Sequence, residues 1–353
     1  MKGGSIMSKK QKTPFSIFAE AVGLYFSNIS KFTKYMTFPV LGQVVGLVLI
    51  FLLTYFYAQN MPMLMEKYST LNSLPITLGT IILLTLPGMI IFLKAFWEYL
   101  VAYGAINSMV ENLLKSGKVY DFDAHTELIK RRTVPFVGLW LLFGIFSIIA
   151  ICPLMWLICG VLAVLFVLIF QVFTYEPEAS PAECFARSFN LVCKHFASTL
   201  LLLAMIGALT YVLIPHIVDF LFQYIHLSNV LSLAVVPFVE LFPINEMNMT
   251  LASLNIPAIK ASDIALSIVS MLIAQVVIQY TLPLRSILWA LWYKQINGGK
   301  FGNYNNEVKT SKTRKKSAKR PSEKLMEESH KKYASKKLDR NILKRAMEKD
   351  DND

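Results

Sequence analysis

Six stretches of this chain carry enough consecutive uncharged, apolar residues to cross a bilayer, and no other feature restricts its fold as much. A spanning helix needs about 20 such residues. Tyr35 to Met65 contains no Asp, Glu, Lys or Arg, and its apolar centre lies at 38–57. Pro75–Leu93 is a second run, ended by Lys94. Thr133–Tyr175 extends for 43 residues without a formal charge or a histidine, with Pro153 near its middle. Proline breaks helices and favours turns, so we read a tight hairpin of two spans, 133–151 and 154–174. A fifth span is expected at 197–222 and a sixth at 264–284. Composition closes the soluble alternative. Charged residues make up 16 % of the chain, against about 25 % in soluble domains. Six such runs leave too little polar surface to cover them as buried core helices. The fold class read here is all-α: a polytopic membrane protein with six transmembrane helices, interfacial amphipathic helices and a basic cytoplasmic tail. That excludes a soluble enzyme, a secreted disulfide scaffold and a coiled coil.

The charge distribution sets organisation and orientation. Residues 294–353 hold 18 Lys/Arg and 9 Asp/Glu, whereas residues 1–293 hold 17 and 14. The chain divides into a basic segment 1–12, a membrane domain 13–298 and a basic tail 299–353. Lysines and arginines cluster before span 1, between spans 2 and 3, between spans 4 and 5, and after span 6. The other side carries only Lys67 and Lys260. By the positive-inside rule, both termini face the cytoplasm of a bacterial inner membrane. The N-terminus lacks the short apolar core and small-residue site of a cleaved signal peptide. Lys2-Gly3-Gly4 before Met7 can be spelled by purine-rich, ribosome-binding codons, so we expect a bacterial source with translation starting at Met7. The tail, with its run from Thr310 to Arg320, reads as a solvated, disordered or helical segment. Its alternative partners are anionic headgroups or RNA, including ribosomal RNA.

Between the spans, local signals are specific. Thr13-Pro14 is an N-cap followed by proline at the first helical position. Phe15, Phe18, Val22, Tyr25, Phe26 and Ile29 then recur at helical spacing, which predicts an amphipathic interfacial helix leading into span 1. Ala95–Ser116 follows span 2 without a breaker, with Gly117 placed as a C-cap, so span 2 is expected to continue as one long helix. Ser180-Pro181-Ala182-Glu183 is a capping box. It opens a second interfacial helix with Phe185, Phe189, Val192 and Phe196 as its apolar stripe. The region 223–263, interrupted by Pro237, Pro243 and Pro257, is expected to be short and re-entrant or interfacial rather than a seventh span.

Glu178, Ala182-Glu183, Arg187-Ser188-Phe189-Asn190-Leu191-Val192 and Phe196, together with Leu288-Trp289-Ala290-Leu291-Trp292-Tyr293-Lys294, resemble motifs of the glycerophosphoryl diester phosphodiesterase membrane-domain family and its stand-alone bacterial relatives. The order of elements over about residues 13–298 is similar as well. The resemblance implies the fold and an accessory membrane role. It does not imply hydrolase activity, since that chemistry resides in a separate barrel that the 60 residues from Lys294 onward cannot supply. Glu183, Arg187 and Ser188 form the family-like interfacial motif.

Candidate chemistry is sparse. Cys152, Cys159, Cys184 and Cys193 have no metal-ligand spacing, and no cofactor or metal is expected. His216, Asp219 and His226 read as headgroup-level polar groups rather than a relay. Polar groups inside spans matter more, because hydrocarbon makes them costly. Gln275 and Gln279 are four apart in span 6, followed by Tyr280 and Arg285, and Gln43 lies in span 1. They read either as interhelical hydrogen-bonding groups with Arg285 reaching to lipid phosphate, or as the lining for a lipid headgroup or small solute. No Walker motif, nucleophile elbow or H-E-x-x-H occurs. The expected function is a non-enzymatic accessory or scaffold protein engaging lipids or membrane-protein partners. The alternatives are a transporter or channel for an amphipathic solute, and docking of RNA or ribosomes by the tail.

Overall fold

The computed structural model describes residues 12–68, 73–149 and 151–298. The N-terminal basic segment up to residue 11, the tail from 299, and the tail's headgroup or RNA contacts lie outside the described residues. Among the described residues every regular element is a helix, and there is no strand. Five helices are long and apolar enough to cross a membrane, and two further pairs qualify if each bent pair is counted as one span. The architecture is that of a polytopic α-helical membrane protein.

Helix α1 (Pro14–Ser27) begins as its sequence dictates: the Thr13 hydroxyl accepts from the Ser16 N–H at 3.3 Å, and Pro14 occupies the first turn. It does more than lead into a span. Ile17, Ala21 and Tyr25 are buried, and the helix packs on α9 (Phe196–Gly207) and α14 (Leu282–Ile296).

Helices α2 (Ile29–Lys67) and α3 (Leu74–Ser116) form the longest pair. Their crossing is made of small residues. A Cβ on Gly46 would lie 2.6 Å from the Phe92 nitrogen and 2.8 Å from the Gly88 carbonyl oxygen; one on Gly42 would lie 2.7 Å from the Ala95 Cβ. Glycines four apart let two backbones touch, the usual device for close helix packing in lipid. Helix α3 passes through Pro87 unbroken and stops where expected, at Gly117 with φ of 66°. Only glycine adopts that left-handed cap without strain.

Helix α4 (Phe122–Arg131) folds back on α3, and a 78° bend joins it to α5 (Thr133–Ile149). Its tie is a buried histidine. Ser108 Oγ donates to the Ala105 carbonyl at 2.7 Å and lies 2.6 Å from His125 Nδ1, while Asn112 Nδ2 lies 3.1 Å from His125 Nε2. With its proton on Ala105, the serine receives from Nδ1–H, and Asn112 donates to Nε2. A Ser–His contact thus serves as a clamp, because the hydroxyl proton is committed to a carbonyl and not offered to a base.

The turn at Pro153 joins α5 to α6 (Trp156–Leu165) through a short 3₁₀ segment, Pro153–Met155. Helix α5 makes little close backbone contact with α6, and its rings reach past the end of α6 instead, Trp140 and Phe143 to Phe170 and Phe146 to Phe166. The second arm is not one continuous helix. It breaks at 166–168 before α7 (Ile169–Tyr175). Ser188 of α8 (Pro181–Cys193) repairs that break: its Oγ donates to the Leu165 carbonyl at 2.8 Å and accepts from the Leu168 N–H at 3.3 Å.

Helix α9 continues through a π-helical segment, Ala208–Leu213, into α10 (Ile214–Tyr224). Pro215 supplies the reason. Its ring collides with the carbonyl four residues back in a regular helix, and a wider π turn makes room. The His216 Nδ1–H donates to the Val212 carbonyl at 2.8 Å. Helices α11 (Leu227–Val239) and α12 (Ile244–Ser253) fill the region between 223 and 263, meeting at 91°. Helix α11 packs on α13 (Ala261–Tyr280) and α10.

The stretch expected as the sixth span, 264–284, lies within Ala261–Ile296, which is long and apolar enough to cross a membrane, and the structure adds a break inside it. Helix α13 ends at Tyr280, and α14 restarts at Leu282 with Pro283 in its first turn. Proline cannot donate, so a new N-terminus is the favourable place for it. Every residue of α14 from Leu282 to Tyr293 is buried. A helix that is apolar on all sides belongs at the centre of a fold. Here α14 is the axis on which α1, α3 and α7 pack.

Candidate ligand-binding cavity

Arg285 lies near the start of that central helix and is only 8 % exposed. Its Nη2 donates to the Ile278 carbonyl at 3.0 Å, and the guanidinium carbon sits 4.8 Å from the centre of the Tyr211 ring. The Tyr99 phenol lies near the guanidinium, yet Nη1 has no hydrogen-bond partner among the described residues. None of the ion pairs among those residues involves Arg285. A buried charge normally has both a counter-charge and a full set of hydrogen bonds.

The residue opens onto a cavity of about 420 Å³. Trp140, Phe143 and Phe146 of α5 form one wall, Phe166 and Phe170 another, and Tyr99, Tyr103 and Trp289 complete the aromatic lining. Trp140 Nε1 is a second buried donor without a partner. Two orphan donors therefore sit on residues lining one aromatic chamber. Tyr211 stands at its edge, 53 % exposed. The π segment carries Tyr211, so Pro215 indirectly sets the ring that covers Arg285.

The four polar residues expected to line a site in span 6 are not brought together. Gln279 pairs reciprocally with Gln43 across helices, at 3.3 and 3.4 Å, and Gln43 also donates to the Pro39 carbonyl at 2.7 Å. Gln275 is exposed on α13. Tyr280 offers its carbonyl to the Tyr25 hydroxyl at 3.3 Å. Arg285 is the one of the four that lines the cavity.

Glu183, Arg187 and Ser188 share α8, each with its own task. The Ser180 N–H donates to Glu183 Oε2 at 2.7 Å, and the Glu183 N–H donates to Ser180 Oγ at 3.4 Å. The backbone donor of Ser180 and then its hydroxyl hold the Glu183 carboxyl below its ordinary pKa. Arg187 donates to Glu176 Oε1 at 3.3 Å and to Asn297 Oδ1 at 3.4 Å, and Glu176 also accepts from the Tyr293 hydroxyl at 2.8 Å. Ser188 stitches the α6–α7 break. These are contacts that hold α8 against α6, α7 and α14.

Other expected groups stand apart from the cavity. His216 is committed to Val212, and Asp219 accepts from Gln223 at 2.9 Å. All four cysteines are free thiols, and burial pushes the Cys184 thiol up to about 12. A neutral, buried thiol is a packing group rather than a nucleophile. No cluster of three metal-ligating side chains occurs among the described residues.

The aromatic lining was missed because Trp140, Phe143 and Phe146 recur at a spacing that equally describes a lipid-facing stripe. The available signal was Arg285 itself, an arginine directly after a full-length apolar run.

No protein-family model, curated protein or solved structure matches this chain.

Proposed function

We propose that the chain is a six-span integral protein of a bacterial cytoplasmic membrane, with both termini cytoplasmic, that works without catalysis by holding a lipid-like guest in its interior. The resemblance of its α8 and α14 motifs to the glycerophosphoryl diester phosphodiesterase membrane domains supports this accessory role. The span count rests on length. Thirteen residues of α11 extend about 20 Å, short of a hydrocarbon core of about 30 Å, so α11 enters and returns. Helix α5 spans alone, with polar α4 at the surface. Six crossings keep the basic segments on one side.

The observation that carries the reading is the pair of unpaired buried donors, Arg285 Nη1 and Trp140 Nε1, in one aromatic cavity. Mostly apolar walls with a few convergent polar groups are the usual make-up of a small-molecule site. The test is mild-detergent purification of the full chain from native membranes, with mass spectrometry of the lipids that stay bound. Wild type is compared with Arg285→Gln and with a version ending at Gly298. A lipid or amphiphile retained by wild type and by the shortened form, and lost from Arg285→Gln, is the expected result. Identical lipids on wild type and Arg285→Gln would remove the reading.

A further inference from the structure

Resting on that reading, we infer that the guest is a single-chain monocarboxylate, of fatty-acid type, whose carboxylate meets Arg285 Nη1 and whose chain lies among the aromatic walls.

Charge sets the headgroup. Arg285 is the one formal charge lining the cavity; the other polar lining groups are the Tyr99, Tyr103 and Tyr211 phenols and the Trp140 and Trp289 indoles. All are donors or can donate. A neutral guest leaves the buried guanidinium uncompensated, and a cationic guest adds a second positive charge in a medium of low polarity. A phosphate monoester brings close to two negative charges against one positive charge. A carboxylate brings one, and offers two acceptor oxygens to a site with two orphan donors.

Volume sets the tail. At about 30 Å³ per water-sized heavy atom, 420 Å³ accommodates about fourteen non-hydrogen atoms. That is a carboxylate with a medium-length chain. A diacyl phospholipid, with glycerol, phosphodiester and two chains, exceeds that volume. The lining offers an apolar chain mainly ring faces and edges: Trp140, Phe143, Phe146, Phe166 and Phe170.

The experiment titrates full-length protein in nanodiscs with decanoate, decyl phosphate, decanol, decyltrimethylammonium and dioctanoyl phosphatidylglycerol. Binding is followed by tryptophan fluorescence, since Trp140 and Trp289 line the cavity. Decanoate is expected to bind saturably, at least tenfold more tightly than decanol. Arg285→Gln should weaken decanoate about tenfold to a hundredfold, the size of a lost charged hydrogen bond, and leave decanol unchanged. Arg285→Lys should recover part of the loss, and Trp140→Phe should cost a few-fold. The decanoate-over-decanol preference of wild type needs no variant, so a misfolding substitution does not blunt the test. Equal binding of decanol and decanoate overturns the inference. So does tighter binding of decyl phosphate or of dioctanoyl phosphatidylglycerol, although either leaves the lipid-holding reading intact. If no probe binds, yet a native lipid is lost on Arg285→Gln, the carboxylate assignment alone falls; if neither occurs, both fall.

Discussion

The two ends of α3 obey different rules although they belong to one helix. Toward its start, Leu74, Ile82, Leu83, Ile90 and Leu93 are exposed, all above 55 %. Toward its end, Val101, Ala102 and every residue from Gly104 to Val110 are buried. The first half is the more apolar, without a charge from Pro75 to Leu93, whereas the second carries Glu98, Glu111 and Lys115, so apolarity alone does not decide which half is buried. The difference lies in what surrounds them. The first half touches α2 along one seam and otherwise presents apolar side chains outward, as a lipid-facing helix does. The second half is enclosed by α4, α7 and α14. In that enclosed base polar side chains reach one another across helices, although Asn107 Nδ2, Gln171 Oε1 and Ser286 Oγ find no partner among the described residues. The Tyr175 hydroxyl donates to the Asn107 carbonyl, Gln171 donates to Asn107 Oδ1 at 3.2 Å, and the Trp292 Nε1–H donates to Thr199 Oγ1 at 2.9 Å. Stability in this molecule is concentrated at the base, and the outer half of the bundle relies on its surroundings to cover it.

The largest expected contrast between the two regions comes from truncating one large side chain in each. Trp292 is 2 % exposed, stacks edge-on against His195 and is hydrogen-bonded to Thr199. Trp292→Ala should cost about 3–5 kcal/mol through the cavity it leaves, read as a large fall in the unfolding midpoint of detergent-purified protein. Leu157, at the hairpin tip, is 83 % exposed. Leu157→Ala should stay within about 0.5 kcal/mol. Equal effects would mean that the base is not the folding core.

A middle-sized effect tests the join between the regions. Ser188→Ala strips both hydrogen bonds from the α6–α7 break and leaves the buried Leu165 carbonyl and Leu168 N–H without their partner. Each such group costs about 1–3 kcal/mol. Amide exchange of Leu168 should accelerate in the variant while that of Val110 stays protected. Unchanged exchange at Leu168 would show that the break is held by other contacts.

The smallest effect concerns α8 at its exposed start. The Glu183 carboxyl has its pKa lowered in the fold by the Ser180 N–H and hydroxyl. The ionised form is therefore favoured by folding. Its contribution is complete above the ordinary carboxylate value of about 4.3 and disappears as pH falls through the lower folded value. Midpoints of wild type and Glu183→Gln should differ slightly at pH 7 and converge in acid, once the pH has fallen through the lowered folded value. A difference that persists in acid would contradict the cap as its origin.

What could be read from the residues follows from this same division. Uncharged runs announce themselves, and so do local caps such as Thr13-Pro14, Ser180–Glu183 and Gly117, because each is a contact between near neighbours in sequence. The central position of α14 was not legible. Its residues are apolar on every side, so periodicity names no face, and Arg285 looked like an arginine reaching outward to phosphate. Gln275 and Gln279 share a helix face by spacing, but only Gln279 meets Gln43, a partner 236 residues away. Membership of one face does not fix which turn is covered. The cavity draws on residues from α3, α5, α6, α7, α9, α14 and the π segment, and no local pattern encodes such a convergence.

The glycine crossing of α2 and α3 has a mechanical consequence. With Gly46 pressed against the Phe92 and Gly88 backbones, the two longest helices cannot slide or spread without losing that contact, so together they act as one strut. The α5–α6 hairpin, tied to the base by α8 and by rings that reach past α6 to Phe166 and Phe170, has no such weld. Any opening that admits a guest to Arg285 would then swing the hairpin like a door leaf on the α8 side, while the strut serves as the post that stays still.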